Sequence, residues 1–559
     1  MGEGIEPYFV NQYILTDVYL NAKGSHNLQR PLLPSVSTLI GGSIIAIILA
    51  VARTVFFILL SRLPGSRRAI KKISVANTSI VYHDGRALAT CESGPPMRFQ
   101  LPGLETVGWY NGRKAENELG NDERVGFGGK GFASFMKEWT TGHPRVDPVT
   151  KELISIHAVL VKPYVFYSVI PPESKVASKY ERGRRPMFGA AIPGVHSPKM
   201  MHDFGVAAHH TVILDLPLMM NPLHLVSGRP MIAFDPAGQS RYGVFPRYEP
   251  HKIQWFETKQ CLIFHTANCW ETYTFKPVAE TCVHLVACRL TSASVLYNAG
   301  ALSSPTPKAV PPDYVEEDQC RLYYYTFPLA PDSLDEKSVI RNQWALSAIP
   351  FEFPTVSTQC SMSAARFVYG CSMGSQSHYS AALGKAAKMD YLAKIDVETL
   401  IARGTAHPPQ QITGCVDKRT TAEVIKSDDE DDPIKLFRMP ANWYAQEARF
   451  VARREASSED DGWLLTYVFD ESQLDSRGEC GEEATSELWV IDAKNMRDVT
   501  AKIRLPQRVP YGLHGTWFSR GEVLSQRPVE SFRREVPKEE LDLSSPLSRI
   551  RDVIEKLVG

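Results

Sequence analysis

The chain has 559 residues, with 62 basic and 62 acidic side chains, and is neutral overall. Balanced charge removes the electrostatic case for a nucleic-acid partner, so none is expected. An apolar share of 43% suffices for a large core, and ten cysteines without regular spacing read as reduced intracellular thiols rather than a disulfide framework.

From the N-terminus, Tyr8 to Leu20 is rich in β-branched and aromatic residues and predicts a strand. Leu39 to Leu60 is the most apolar stretch, 22 residues broken only by Arg53, and it runs into Arg62, Arg67, Arg68, Lys71 and Lys72. By length it could span a bilayer. With its basic flank it could instead lie in the headgroup interface, and docking on a membrane surface is favoured over spanning and over a buried core helix. Ile80 to Leu88 and Thr106 to Tyr110 read as short strands. The segment from Gly126 to Gly131 matches a dinucleotide fingerprint in form, but it sits in a polar loop without the preceding strand that such a site needs.

From Leu153 onward, short strand-like runs recur with turn residues between them. Examples are Thr211–Leu216, Cys282–Cys288, Leu322–Phe327, Leu464–Phe469 and Leu488–Ile491. Helical periodicity is rare, so the pattern is that of an all-β sandwich, barrel or propeller. The acidic run from Ser427 to Asp432 lacks calcium-loop spacing and reads as a solvated loop. Residues 545–559 carry a cap, Pro546 and an apolar stripe, and read as a terminal amphipathic helix.

Four histidines stand in turn-forming or strand-end settings: His143 in Gly-His-Pro-Arg-Val-Asp-Pro, His202 in Met-His-Asp-Phe-Gly, His265 at the end of Leu262-Ile-Phe, and His514 in Gly-Leu-His-Gly. Each could be a buried histidine paired to a carbonyl or a metal ligand. Neutral imidazole suits Zn, Cu, Fe and Ni, and no cysteine spacing offers a competing site. His209 and His210 are weaker alternatives to His202, because neighbours on a strand point to opposite faces.

These four segments, in this order, resemble the iron-histidine segments of the carotenoid cleavage oxygenases, a family that includes the stilbene-cleaving oxygenases and the retinal pigment epithelium isomerohydrolase. The likeness runs from about Ala76 to Arg520. Besides the histidine motifs it includes Trp255-Phe-Glu to Trp270-Glu, Phe351-Glu-Phe-Pro and Asp460-Asp-Gly-Trp. It implies a single seven-bladed β-propeller over 1–559, with the 39–60 segment as its membrane-docking element. Upstream family motifs have no counterpart, so the propeller is expected to be short at the N-terminus by most of a blade. It also implies Fe(2+) held by His143, His202, His265 and His514, one from each of four blades. Glu92, Glu352 and Glu447 would accept from the other ring nitrogens and fix their orientation.

The activity implied is addition of O2 across a conjugated C=C bond of a lipid-soluble polyene, giving two carbonyl products, with no organic cosubstrate. A carotenoid or apocarotenoid is the first expectation, taken up by a cytoplasmic, peripherally membrane-associated enzyme, with a single-pass membrane protein as the alternative. A stilbene-type phenolic alkene is the second, with Tyr110 and Lys137 as candidate phenol partners by composition alone. A non-catalytic propeller binding a lipid or a protein is the third, and ester isomerohydrolysis follows it.

Overall fold

The structure, a computed structural model, describes residues 7–24, four positions between 52 and 59, residues 70–535, Pro546 and Val553; within 70–535 it leaves out 121–124, 131–133, 174–185, 222–223, 225–231, 236, 275–279, 292–319, 330–337, 375–388 and 413. Among the described residues the fold is an all-β propeller of six blades taken in chain order. The first blade is β1 (Ile80–His83), β2 (Arg86–Ala89), β3 (Met97–Phe99) and β4 (Thr106–Trp109). The second is β5 (Arg145–Val146), β6 (Leu153–Ala158), β7 (Val165–Ile170) and β8 (Met187–Ala191).

The third blade pairs β9 (Gly205–Val206), β10 (His210–Asp215), β13 (Gln239–Pro246) and β14 (Gln254–Lys259), with a separate hairpin of β11 (Leu218–Met220) and β12 (Ile232–Phe234). The fourth comprises β15 (Leu262–Thr274), β16 (Glu280–Leu290), β17 (Cys320–Leu329) and β18 (Asn342–Ser347), joined in parallel by β22 (Cys415–Asp417). The fifth is β19 (Glu352–Thr355), β20 (Phe367–Ser372), β21 (Tyr391–Asp396) and β23 (Ile434–Arg438). In the sixth, β24 (Trp443–Ala445) and β25 (Arg449–Ala452) both pair with β26 (Gly462–Asp470), followed by β27 (Glu487–Asp492) and β28 (Val499–Arg504).

The burial pattern follows position in the blade. Central strands are covered on both faces, so β7 and β21 are buried throughout, Ser168, Lys394 and Asp396 included. The outermost β28 alternates half-buried and exposed residues, as a strand with one solvated face must. The largest core extends from the third blade to the sixth. A second lies between Ile154, Ile156 and Tyr167 of the second blade and Phe204, Ile213 and Phe245 of the third.

The expected seventh blade is not formed among the described residues, and the first blade shows what stands in its place. Alternate residues of β2 point to opposite faces. Leu88 packs toward the second blade with Leu153 and Ile170. Ala87 and Ala89 face the other way, and there they meet Ile14, Phe518 and Val523 rather than another sheet. The segments at both ends of the described chain are fastened over this face. Arg533 bonds Asp17 and Glu116, and Arg527 bonds Asp84.

That fastening also explains why Tyr8–Leu20 departs from the strand expectation. Residues 7–16 are irregular and Asp17–Gly24 is helical. The Asp17 carboxylate accepts from the backbone N–H groups of Lys71 and Lys72 and from the Trp109 indole, so tertiary contacts override local β preference. The 39–60 segment lies outside the described residues except for Ala52, Val55, Phe56 and Leu59, which are helical and exposed. Among the described residues no helix is long and apolar enough to cross a membrane. The expected 545–559 helix likewise lies outside them, apart from Pro546 and Val553. In the acidic run Asp428–Asp431 are exposed, but Asp432 is buried against Arg419, which also holds Asp417.

Candidate metal centre

One of the four histidines, His265, lies on a strand, and the other three stand in turns or irregular segments. His143 and His202 stand just ahead of β5 and β9. Gly142 allows the first of these turns: a Cβ there would lie 2.5 Å from Thr78 Cγ2 and 2.9 Å from Glu92 Oε1. Thr141 Oγ1 joins the two turns, accepting from His143 N (3.0 Å) and donating to the His202 carbonyl (2.6 Å).

His265 lies within β15 at a bulge. Ile263 opposes Arg289 and Thr266 opposes Ala287, so one extra residue is accommodated around Phe264 and His265. Such a bulge re-aims a side chain that strict alternation would send elsewhere. A second irregularity sits in β19, where Phe353 adopts φ +54°, a strained conformation for a bulky residue. Its backbone N–H donates to Glu352 Oε2 (2.5 Å) and helps fix that carboxylate. His514 belongs to no blade. It is carried by the irregular segment after β28, so the expectation of one ligand from each of four blades is met by three blades and a connecting arm.

The four side chains converge. One nitrogen from each lies within 4.8 Å of all the others. His143 Nε2 and His202 Nε2 are 3.0 Å apart, and the ring of His143 is 4.6–5.0 Å from each of the other three, edge to face. An ion about 2.1 Å from each imidazole nitrogen would set neighbouring nitrogens about 3 Å apart. His265 Nε2 is buried without a hydrogen-bond partner, as a ligand nitrogen aimed at a cation would be. The donor set and its spacing therefore fit a divalent transition metal.

Behind three of the rings stand carboxylates. Glu352 Oε2 lies 2.5 Å from His265 Nδ1, Glu447 Oε1 3.1 Å from His514 Nδ1, and Glu92 Oε1 2.6 Å from His202 Nδ1, the last outside hydrogen-bond alignment. Burial, reinforced by the neighbouring rings, holds His143 well below its ordinary pKa and keeps it neutral. Burial also lowers His514 against the opposing pull of Glu447. For His265 burial acts downward too, but Glu352 outweighs it and the net shift is upward. Burial alone would raise Glu92 and Glu447, yet His202 and His514 hold them below the usual carboxylate range.

A cavity of about 750 Å³ adjoins the cluster, reaching His143, His265 and His514 and lined by Arg145, Asp203, Thr355, Glu447 and Arg449. Apolar side chains, among them Ile80, Val146, Val356 and Phe450, share its wall with these polar ones. The rings of Phe264 and Phe353 lie outside this lining, against His202, His265 and His514. Tyr110 is buried between the first two blades beside Phe127, and Lys137 lies over Phe166. Neither Tyr110 nor Lys137 lines this cavity. His210 pairs instead with Glu271 at 2.9 Å. Sequence reasoning gave no role to Asp203, Arg145 or Thr266, although each lies one or two residues past a histidine.

Comparison with known proteins agrees with this geometry. The family model described as retinal pigment epithelial membrane protein matches residues 5–519. The carotenoid dioxygenase carX of Gibberella fujikuroi is 48% identical over 99% of this chain and 85% of its own length. The carotenoid 9,10(9',10')-cleavage dioxygenase 1 of Phaseolus vulgaris is 29% identical over 80% of this chain and 67% of its own. Among solved structures, Pseudomonas brassicacearum lignostilbene dioxygenase superposes with a TM-score of 0.54 at 18% identity, covering 81% of this chain and 77% of that one. A Synechocystis apocarotenoid oxygenase variant gives 0.52 at 20% identity, covering 79% and 74%. At these identities the two structures speak to the fold.

Proposed function

This chain belongs to the carotenoid cleavage oxygenase family of enzymes, and from that premise we propose that it is an Fe(2+)-dependent dioxygenase cleaving one conjugated C=C bond of a carotenoid or apocarotenoid. The alkene and O2 give two carbonyl products, so all atoms are accounted for without a cosubstrate. The observation that carries the reading is the convergence of four imidazole nitrogens within 4.8 Å. It is supported by relatives whose names specify carotenoid cleavage.

His143, His202, His265 and His514 would hold the iron, which when bound supplies an open position for O2 and the electrons to activate it. Neutral rings leave the ion's charge unbalanced by ligands, and the carboxylates of Glu92, Glu352 and Glu447 compensate from behind. Glu352 and Glu447 also select the ring tautomer, since each accepts from Nδ1 of its histidine and frees Nε2 for the metal. Phe264 and Phe353 pack apolar rings against His202, His265 and His514, and the cavity beside the cluster, partly apolar in its wall, would hold a rigid polyene with one double bond near the metal. A substrate of this kind partitions into lipid. We place membrane docking at residues 39–60 and their basic flank, on the sequence pattern alone.

The test is turnover of an apocarotenoid and of a full-length carotenoid in detergent micelles, in air and without oxygen, with 18O2 labelling of the aldehydes. Oxygen-dependent cleavage with label in the products is expected. Cleavage confined to hydroxylated stilbenes would transfer the assignment to phenolic alkenes, and turnover of neither class by iron-loaded protein would overturn it.

A further inference from the structure

Three of the four histidines are tied together one or two residues beyond the ring. Asp203 follows His202, Thr266 follows His265, and Arg145 stands two residues after His143. Their side chains form one knot. Asp203 Oδ2 accepts from Arg145 Nη2 (2.6 Å), from Thr266 N (2.7 Å) and from Thr266 Oγ1 (3.0 Å). Asp203 Oδ1 accepts from Phe204 N (2.8 Å). Arg145 Nη2 also donates to Thr266 Oγ1 (2.8 Å) and reaches its carbonyl (3.1 Å).

The Asp203 side chain is wholly enclosed, at 0% exposure. A buried carboxylate is tolerated only when its oxygens are satisfied, and this one receives a charge-assisted bond as well as neutral ones. Its partners come from the second, third and fourth blades. A single carboxylate thus fixes the mutual placement of three inner strands at the height of the histidines. His265 is gripped from two sides, by Glu352 at its ring and by Asp203 at the next residue's backbone.

We propose that Asp203, with Arg145 and Thr266, is a positioning device that sets the spacing of His143, His202 and His265 and so governs how slowly the metal is released. The proposal rests on the four-histidine reading of the site. It differs from a general brace of the fold, which would change stability without a specific effect on metal exchange.

The two are separated by loading the full chain with Co(II) and following its release to the chelator 4-(2-pyridylazo)resorcinol, with thermal unfolding of the metal-free protein alongside. Asp203→Asn removes the charge and puts an amide donor against groups that already donate, three to Oδ2 and one to Oδ1. It is expected to speed release by about 10- to 100-fold, the usual cost of losing a partner just outside a metal's ligands. Thr266→Val should speed release to a smaller degree, and Thr266→Ser, which restores the hydroxyl, should return it to the wild-type rate. Asp460→Asn breaks the buried pair with Lys394 away from the histidines, and it should lower the melting temperature while releasing Co(II) at the wild-type rate.

Folded Asp203→Asn and Thr266→Val proteins that release Co(II) as slowly as wild type would overturn the proposal. If Asp203→Asn fails to fold, the Thr266→Val and Thr266→Ser pair decides. Wild-type protein that takes up no Co(II) would defeat the four-histidine reading itself, and the proposal with it. That outcome is distinct from normal uptake with unchanged release in the variants.

Discussion

The two sides of the metal centre are built differently. His265 lies within β15, and His143 and His202 stand in turns just ahead of β5 and β9; all three adjoin strands that are paired in sheets and knotted by Asp203. His514 sits on a segment of no sheet, with Gly512, Leu513, Gly515 and Trp517 exposed around it. That arm is held by a run of polar side chains from the sixth blade. Gln446 bonds Pro510 O (3.1 Å) and Gly512 N (2.9 Å), Glu447 bonds Gly515 N (2.7 Å), and Arg449 bonds Gly515 O (2.9 Å). A sheet can place a ligand through its ladder, whereas an arm outside any sheet must be placed by individual hydrogen bonds. The first kind of placement is cooperative with the whole fold, and the second is local.

The comparison is sharpened most by removing one ligand from each side. His265→Ala should abolish measurable metal uptake and aldehyde formation. His514→Ala should leave weak uptake by the remaining three rings, read by equilibrium dialysis against Co(II). Equal loss in both would erase the distinction between the sides.

A smaller effect is expected one step out. Glu352→Gln should weaken metal binding toward the upper end of about 10- to 100-fold, because Glu352 is buried and also fixes the Phe353 turn. Glu447→Gln should fall toward the lower end, since Gln446 and Arg449 still hold the arm. Competition with a chelator of known affinity measures both.

Gly142→Ala probes the packed side sterically. Its methyl would press on Thr78 and Glu92 at 2.5 and 2.9 Å, costing about 1–3 kcal/mol by overpacking, to be read as a lowered urea midpoint. A matching Gly515→Ala on the arm, where nothing lies within 4 Å of the added carbon, should leave that midpoint in place.

Acid should loosen the blade side. Burial holds both His83 and His157 down to about pKa 4, against about 6.5 in an unfolded chain. As pH falls the unfolded state takes up protons first. Stability that is full above about pH 6.5 is therefore lost progressively toward pH 4, by at most about 3 kcal/mol for each residue. Urea titrations between pH 7.5 and 5 should show the decline, reduced in a His157→Gln variant. Burial is why His157 does not charge readily, and it outweighs the Trp139 carbonyl (2.8 Å), whose hydrogen bond with Nδ1 favours the charged ring.

Much of this was legible in the chain itself. The run Leu322–Phe327 falls within β17, and Thr211–Leu216 matches β10 except for Leu216, because composition and turn punctuation report burial directly. The histidines and Glu352 stood out through their ordered motifs. Their convergence on one ion was implied by the resemblance alone, because spacing along a chain carries no distance in space. The His265 bulge was invisible for the same reason: alternation predicts a face, and a bulge breaks alternation only where the partner strand is known. Asp203 was passed over because, read alone, an aspartate beside a histidine is as readily a surface residue. Its meaning comes from Arg145 and Thr266, 58 and 63 residues away. What covers the open face of the first blade was beyond reach too, since only tertiary packing brings Ile14, Phe518 and Val523 there.

Iron K-edge X-ray absorption of the purified, iron-loaded chain tests the central claim most directly. The account predicts a light-atom shell at about 2.1 Å with outer-shell scattering from several imidazole rings and no sulfur neighbour. A sulfur shell, or a shell of oxygens without the imidazole signature, would contradict it.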